Sequence, residues 1–84
     1  MSETAATSLR PLIRDAWISV LGHAEFTDDD YFFAIGGTSL DAIRLMRSIG
    51  QATGRRLPVR TVFEHQTVAL LDAAVRDLLA ETPA

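Results

Sequence analysis

Between Leu9 and Leu21 the apolar residues fall at positions 9, 12, 13, 16, 17, 20 and 21. That is the spacing of one face of an amphipathic helix. No stretch of useful length alternates with period two, so the sequence offers no strand to pair with. A chain whose apolar faces are all helical has to bury them against one another, which predicts an all-α bundle.

The remaining segments fit that frame. Ser8 is expected to cap the first helix, Pro11 is tolerated in its first turn, and Gly22 is a natural stop. Residues 22–38 carry no helical period. They hold Asp28, Asp29 and Asp30, then Tyr31, Phe32, Phe33 and Ile35, then Gly36 and Gly37. A connection this long in a small domain is expected to pack or to work, and its aromatic residues predict packing across the helices. A second helix is predicted from Ser39 to Thr53, ending at Gly54. A short helical turn follows over Val59 to Glu64, anchored by Val62 and Phe63. A last helix follows Thr67, with Val68, Leu71, Val75, Leu78 and Leu79 on one face. The predicted fold is a four-helix bundle with a long loop between helices 1 and 2 and a short third helix. Its body is assigned to residues 8–80, with tails over 1–7 and 81–84.

The 84 residues suffice for one small domain. With no cysteine there is no disulfide framework, cysteine zinc site or cysteine nucleophile, a composition that fits a cytoplasmic location. A net charge of -3 argues against a sequence-independent grip on nucleic acid. No apolar run reaches the ~18 residues of a membrane span, and Met1 to Thr7 lacks the apolar core of a secretory signal. His23 and His65 stand far apart, and the Asp28-Asp29-Asp30 run lacks the ligand spacing of a calcium loop. Both are read as solvated or capping residues, and no metal site is expected. Trp17 is read as core.

The informative junction is Gly36-Gly37-Thr38-Ser39-Leu40-Asp41. Thr38 and Asp41 stand three apart, the spacing of a capping box with aspartate in place of glutamate. With Thr38 as the cap, Ser39 is the first helical residue and its hydroxyl is free to point outward. A phosphate attached there would meet the free N–H groups and the positive end of the helix dipole. The two glycines remove bulk and are expected to let another enzyme approach the backbone. Taken locally, the same six residues also read as an ordinary loop and cap. On the second helix, Ala42, Leu45, Met46 and Ile49 share one side, while Leu40 falls among the polar set beside Arg44 and Arg47, with Ile43 on the flank.

Asp30-Tyr31-Phe32-Phe33-Ala34-Ile35-Gly36-Gly37-Thr38-Ser39-Leu40 resembles the signature of peptidyl carrier proteins, the thiolation domains of nonribosomal peptide synthetases. Leu57 to Glu64 looks like their segment before the last helix, and Trp17 to Gly22 like the end of their first. The resemblance spans roughly Leu9 to Leu79. It implies an acyl-carrier-like bundle bearing 4′-phosphopantetheine, derived from coenzyme A, on Ser39, with Gly36, Gly37, Thr38 and Asp41 in support. The arm's thiol would carry an aminoacyl or peptidyl group as a thioester, making the protein a non-catalytic monomeric shuttle. The implied partners are a phosphopantetheinyl transferase, an adenylating enzyme, condensation or tailoring enzymes and a thioesterase. They are expected to touch Leu40, Ile43, Arg44 and Arg47, with Val62 and Phe63 as further candidates; plain core packing is the alternative for that last pair.

Two positions depart from the family pattern. Gln66 stands where proline is common, an exchange expected to loosen the turn. Thr38 stands where histidine or aspartate is frequent. Fatty-acid carriers usually show a strongly acidic second helix, whereas this one has Arg44 and Arg47 and only Asp41, which favours the peptidyl class. Met1 at the start and an end just past the last helix are read as a freestanding carrier, with a domain excised from a larger synthetase as the alternative. The alternatives are a carrier of polyketide or other acyl chains, and a helical interaction module without a prosthetic group.

Overall fold

The computed structural model describes residues 8–81, so the two assigned tails lie outside them except for the exposed Glu81. Four helices follow in order: α1 (Arg10–Leu21), α2 (Ser39–Thr53), α3 (Arg60–Glu64) and α4 (Val68–Ala80). Among the described residues there is no strand, and the predicted helical bundle holds. The core is built from α1, α2 and α4, with Ile13, Trp17, Leu45, Met46, Ile49, Leu71 and Val75 essentially sealed from solvent. These are the faces that the 3.6-residue spacing picked out.

The boundaries of α2 follow directly from its end residues. Thr38 caps the start, and Gly54, in the left-handed conformation at φ 76°, closes the end by donating its N–H to the Gly50 carbonyl. Gly22 closes α1 in the same way, at φ 83°. Thr67 caps α4 by accepting the Leu70 N–H at 3.0 Å. The third helix starts one residue later than predicted, with Val59 as its cap.

Two expectations are corrected. Leu9, not Ser8, occupies the cap position of α1; Ser8 Oγ accepts only the Arg10 N–H, at 3.1 Å. The reason lies on α4. The Leu9 N–H donates to Asp72 Oδ1 at 2.7 Å, so a buried carboxylate far along the chain serves the end of α1. Secondly, residues 22–38 are not wholly irregular, because Phe32–Ile35 form a 3₁₀ turn closed by Gly36. Gln66, at one of the departures from the family pattern, is hydrogen-bonded on both sides of its turn. Its carbonyl accepts the Phe32 N–H at 2.8 Å, and its side-chain amide donates to the Phe63 carbonyl at 3.3 Å.

The long connection packs as its aromatics predicted. Phe32 meets Trp17 edge-on at 5.0 Å between ring centroids, and Phe26 lies 5.3 Å from Trp17 on the other side. Arg14 holds the start of this segment, with its guanidinium 4.6 Å over the Phe26 ring and 3.0 Å from Asp28 Oδ1. The Asp28 carbonyl accepts the Ala69 N–H at 3.1 Å, tying the segment to α4. Asp30 Oδ2 accepts the Thr27 N–H at 2.7 Å. Two of the three consecutive aspartates are thus structural, one through an ion pair and one through a turn.

Asp72 is 3% exposed; beyond its bond to Leu9, it lies 3.5 Å from Arg76 and 3.8 Å from Arg10. Removing it leaves the Leu9 donor without its acceptor and Arg76 without its ion-pair partner, while Arg10 keeps Asp28 at 3.3 Å. Asp72→Ala is expected to lower stability by about 2 kcal/mol. Asp77→Ala, on the exposed side of the same helix, should stay within about 0.5 kcal/mol of the parent. Urea denaturation followed by far-UV circular dichroism measures both, and equal losses would remove the special role given to Asp72.

Candidate functional site

Thr38 has extended backbone, φ -113° and ψ 172°, so the chain enters α2 at a sharp corner. The Thr38 hydroxyl accepts the Asp41 N–H at 3.1 Å, and the Thr38 N–H donates to Asp41 Oδ2 at 3.1 Å. The expected capping box is therefore complete, with aspartate filling the glutamate role. Ser39 becomes the first residue of a fifteen-residue helix. It is exposed, and its Oγ makes no hydrogen bond among the described residues.

The box also leaves donors over. Of the first-turn N–H groups, Asp41's is taken by Thr38 and Ala42's by the Thr38 carbonyl. Those of Ser39 and Leu40 have no acceptor among the described residues, as expected at a helix start. A phosphodiester on Ser39 Oγ would meet two free donors and the positive end of the α2 dipole. The residues present therefore fit a phosphate-linked prosthetic group.

The glycines have reasons of their own. Gly36 sits at φ 107°, a conformation that side chains rarely adopt, with open space where a Cβ would project. Gly37 is ordinary in conformation but tightly packed, because a Cβ there would lie 2.4 Å from the Phe32 ring. The space expected beside Gly37 for an approaching enzyme is occupied from within by Phe32. The opening toward solvent lies at Gly36 and at Ser39.

Of the predicted contact residues, Leu40 is 55% exposed and Ile43 and Phe63 are each 42% exposed. Arg44 and Arg47 are exposed as well. Val62 is wholly buried, so it faces the core and presents no surface to a partner. Adjacent positions on α3 thus divide the two readings between them, with Val62 in the core and Phe63 outward. Phe63 stacks on Phe33 at 5.2 Å and 20° between planes, which joins α3 to the loop before Ser39. Tyr31, 57% exposed, belongs to the same loop.

Sequence reasoning missed this stack and the role of His23, whose Nε2 lies 3.3 Å from the Ile35 carbonyl at the base of the Gly36 turn. Neither was legible, since both depend on how the loop folds back. Among the described residues no group of three or more His, Asp or Glu side chains could hold a metal ion. No described helix is long and apolar enough to cross a membrane.

A serine with a free hydroxyl at a capped helix start, inside a four-helix bundle, defines a class. The family profile described as "Phosphopantetheine attachment site" matches residues 11–81, and the chain belongs to that family, whose members carry 4′-phosphopantetheine covalently. The chain is 34% identical over 79 residues to the PKS-NRPS hybrid synthetase acdB of Aspergillus candidus, covering 94% of this chain and 3% of the synthetase. It is 42% identical over 69 residues to the phosphinothricin tripeptide synthetase PhsC of Streptomyces viridochromogenes, covering 82% of this chain and 6% of that protein. The chain therefore spans only a few per cent of these curated relatives. Among solved structures, BlmI, a type-II acyl carrier protein of Streptomyces verticillus involved in bleomycin biosynthesis, superposes with a TM-score of 0.81 at 28% identity, covering 86% of this chain and 87% of that one. The fold is the acyl-carrier bundle.

The capping box predicts a measurable coupling. Thr38→Ala and Asp41→Ala should each cost about 1 kcal/mol. The double variant should cost less than the two together, because each side chain serves the other's N–H. Chemical denaturation of the four proteins closes the cycle, and strict additivity would mean that the box contributes nothing as a pair.

Proposed function

We propose that residues 8–80 form a carrier body that bears 4′-phosphopantetheine on Ser39 and holds an aminoacyl or peptidyl group as a thioester in nonribosomal peptide or related natural-product biosynthesis. The observation that carries the proposal is the division of labour at the start of α2. Thr38 and Asp41 satisfy the cap between them, leaving Ser39 Oγ exposed and uncommitted. A phosphopantetheinyl transferase would form the phosphodiester at that oxygen, the serine proton leaving and adenosine 3′,5′-bisphosphate departing from coenzyme A. Once attached, the group supplies a terminal thiol that can be acylated. The protein has no cysteine to compete with it.

The chain's own residues then position and present. Gly36 turns the loop away from the attachment point, and the Phe32 ring behind Gly37 fixes the corner. Leu40, Ile43, Arg44, Arg47 and Phe63 supply exposed apolar and cationic contacts for the enzymes that load and unload the arm: an adenylating enzyme, condensation or tailoring enzymes and a thioesterase. Tethering raises the effective concentration of the cargo at each of them. The body is a non-catalytic monomer working in the cytoplasm. Arg44 and Arg47 on the exposed side of α2 favour the peptidyl class over carriers with an acidic α2. A polyketide acyl chain is the second reading, kept because a hybrid synthetase is among the relatives.

Incubation of the apo protein with coenzyme A and a promiscuous phosphopantetheinyl transferase should add one phosphopantetheinyl mass, read by intact-protein mass spectrometry. Ser39→Ala should abolish the gain while retaining the helical spectrum. An unchanged mass with an active transferase would overturn the assignment. Loading of the holo protein by an adenylating enzyme with an amino acid selects the peptidyl reading, and loading only by an acyltransferase selects the polyketide one.

A further inference from the structure

The basic residues of this chain are unevenly placed. All of them are arginine, and five of the eight lie between residues 42 and 63, a stretch with no carboxylate. The three outside it, Arg10, Arg14 and Arg76, are all ion-paired. None of the five inside it, Arg44, Arg47, Arg55, Arg56 and Arg60, has a carboxylate partner among the described residues. A protein of net charge -3 therefore presents one unneutralised cationic flank.

Three of these arginines rim a groove of about 570 Å³. One wall is a single stripe of α2 running from Ile43 through Arg47 and Gln51 to Gly54, positions that share a face of the helix. The other is the α2–α3 connection with Arg55, Arg56, Leu57 and Val59. Ile43, 42% exposed, and the half-buried Val59 supply apolar surface along the groove, with Met46 and Leu57 buried beneath it. The walls are fixed against each other: the Arg55 N–H donates to the Gly50 carbonyl at 3.0 Å, and a Cβ on Gly50 would lie 2.6 Å from the Arg55 carbonyl. The groove begins one helical turn beyond Ser39, about 6 Å along the axis, and extends away from it.

We propose that this groove docks an acidic amphipathic helix of a partner protein, with apolar side chains against Ile43 and Val59 and carboxylates against Arg47, Arg55 and Arg56. Charge complementarity selects this occupant. Among the described residues no acidic side chain lines the groove, and a prosthetic arm from Ser39 would carry its phosphate at the opposite end of α2, leaving the distal arginines unmatched. An unpaired cationic rim around an apolar strip fits a surface of the opposite charge pattern, and it steers encounter as well as register. The proposal rests on the carrier reading for its biological setting, but the groove is tested independently of Ser39.

The probe is a pair of synthetic helical peptides with leucines one turn apart on one face, flanked in one by glutamates and in the other by lysines. They are titrated into the apo protein at low salt with backbone amide NMR as the readout. The glutamate peptide is expected to shift the amides of Ile43, Arg47, Gly50, Gly54, Leu57 and Val59, and the lysine peptide to leave them unmoved. R47Q/R55Q/R56Q, which alters no core residue, should weaken binding about tenfold, and R47E/R55E/R56E should reverse the preference between peptides. Equal shifts from both peptides, or shifts elsewhere, would overturn the proposal. So would concentration-dependent shifts of these amides without peptide, which would mean self-association, or the same shifts on conversion to the holo form, which would give the groove to the arm. Phosphopantetheinylation of the parent protein, read by mass, tests the carrier assignment separately.

Discussion

Phe32 is the residue through which the rest of the molecule is held together. Its ring is fully buried, meets Trp17 edge-on, and lies so close to Gly37 that no side chain fits there. Its N–H donates to the Gln66 carbonyl between α3 and α4. One residue thus locks the long connection to α1, to the turn before α4 and to the corner that launches α2. Aromatic pairs of this geometry add about 0.5–1.5 kcal/mol beyond burial. More important here is that the residue sets a position, because Gly36 and Gly37 both donate to its carbonyl and Thr38 follows directly as the cap of α2.

From that anchor the chemistry of the site follows in order. Gly37 has to be glycine because of Phe32, and Gly36 because of its left-handed turn. The chain then arrives at Thr38 extended, and only an extended residue can cap α2 with its side chain. With Thr38 and Asp41 closed on each other, Ser39 is the first side chain left over. The serine is set apart by position rather than by chemistry: nothing described activates its hydroxyl.

Much of this was legible before any coordinates. The limits of α2 follow from Thr38, Asp41 and Gly54, residues whose capping physics is local, and the bundle follows from apolar spacing. What escaped were the contacts made across the fold. Asp72 stands among Val68, Leu71, Val75 and Leu79, a carboxylate on an otherwise apolar stripe, and that anomaly was the available signal that it serves another element. Ser8 looked like a cap because the true acceptor for the start of α1 lies 63 residues away from Leu9. The 3₁₀ turn over Phe32–Ile35 is too short to show a period. Val62 and Phe63 could not be separated by sequence, since a five-residue helix has too few positions to define its faces.

The same geometry separates two tasks on one helix. The first turn of α2 holds the proposed attachment point, where its free donors and dipole would favour a phosphate. The cationic stripe begins one turn later and ends on the α2–α3 connection, where Gly50 lets the backbone of Arg55 approach. A phosphate at Ser39 and carboxylates at Arg47, Arg55 and Arg56 would then be bound by different physics: free backbone donors at one end, guanidinium groups at the other. Screening distinguishes them, because exposed charge pairs weaken within a Debye length of about 10 Å at 0.1 M salt, whereas a covalent phosphodiester does not dissociate. In the proposed reading, an arm fixed at one end and a salt-sensitive surface along the rest of α2 would let a partner be exchanged without losing the cargo.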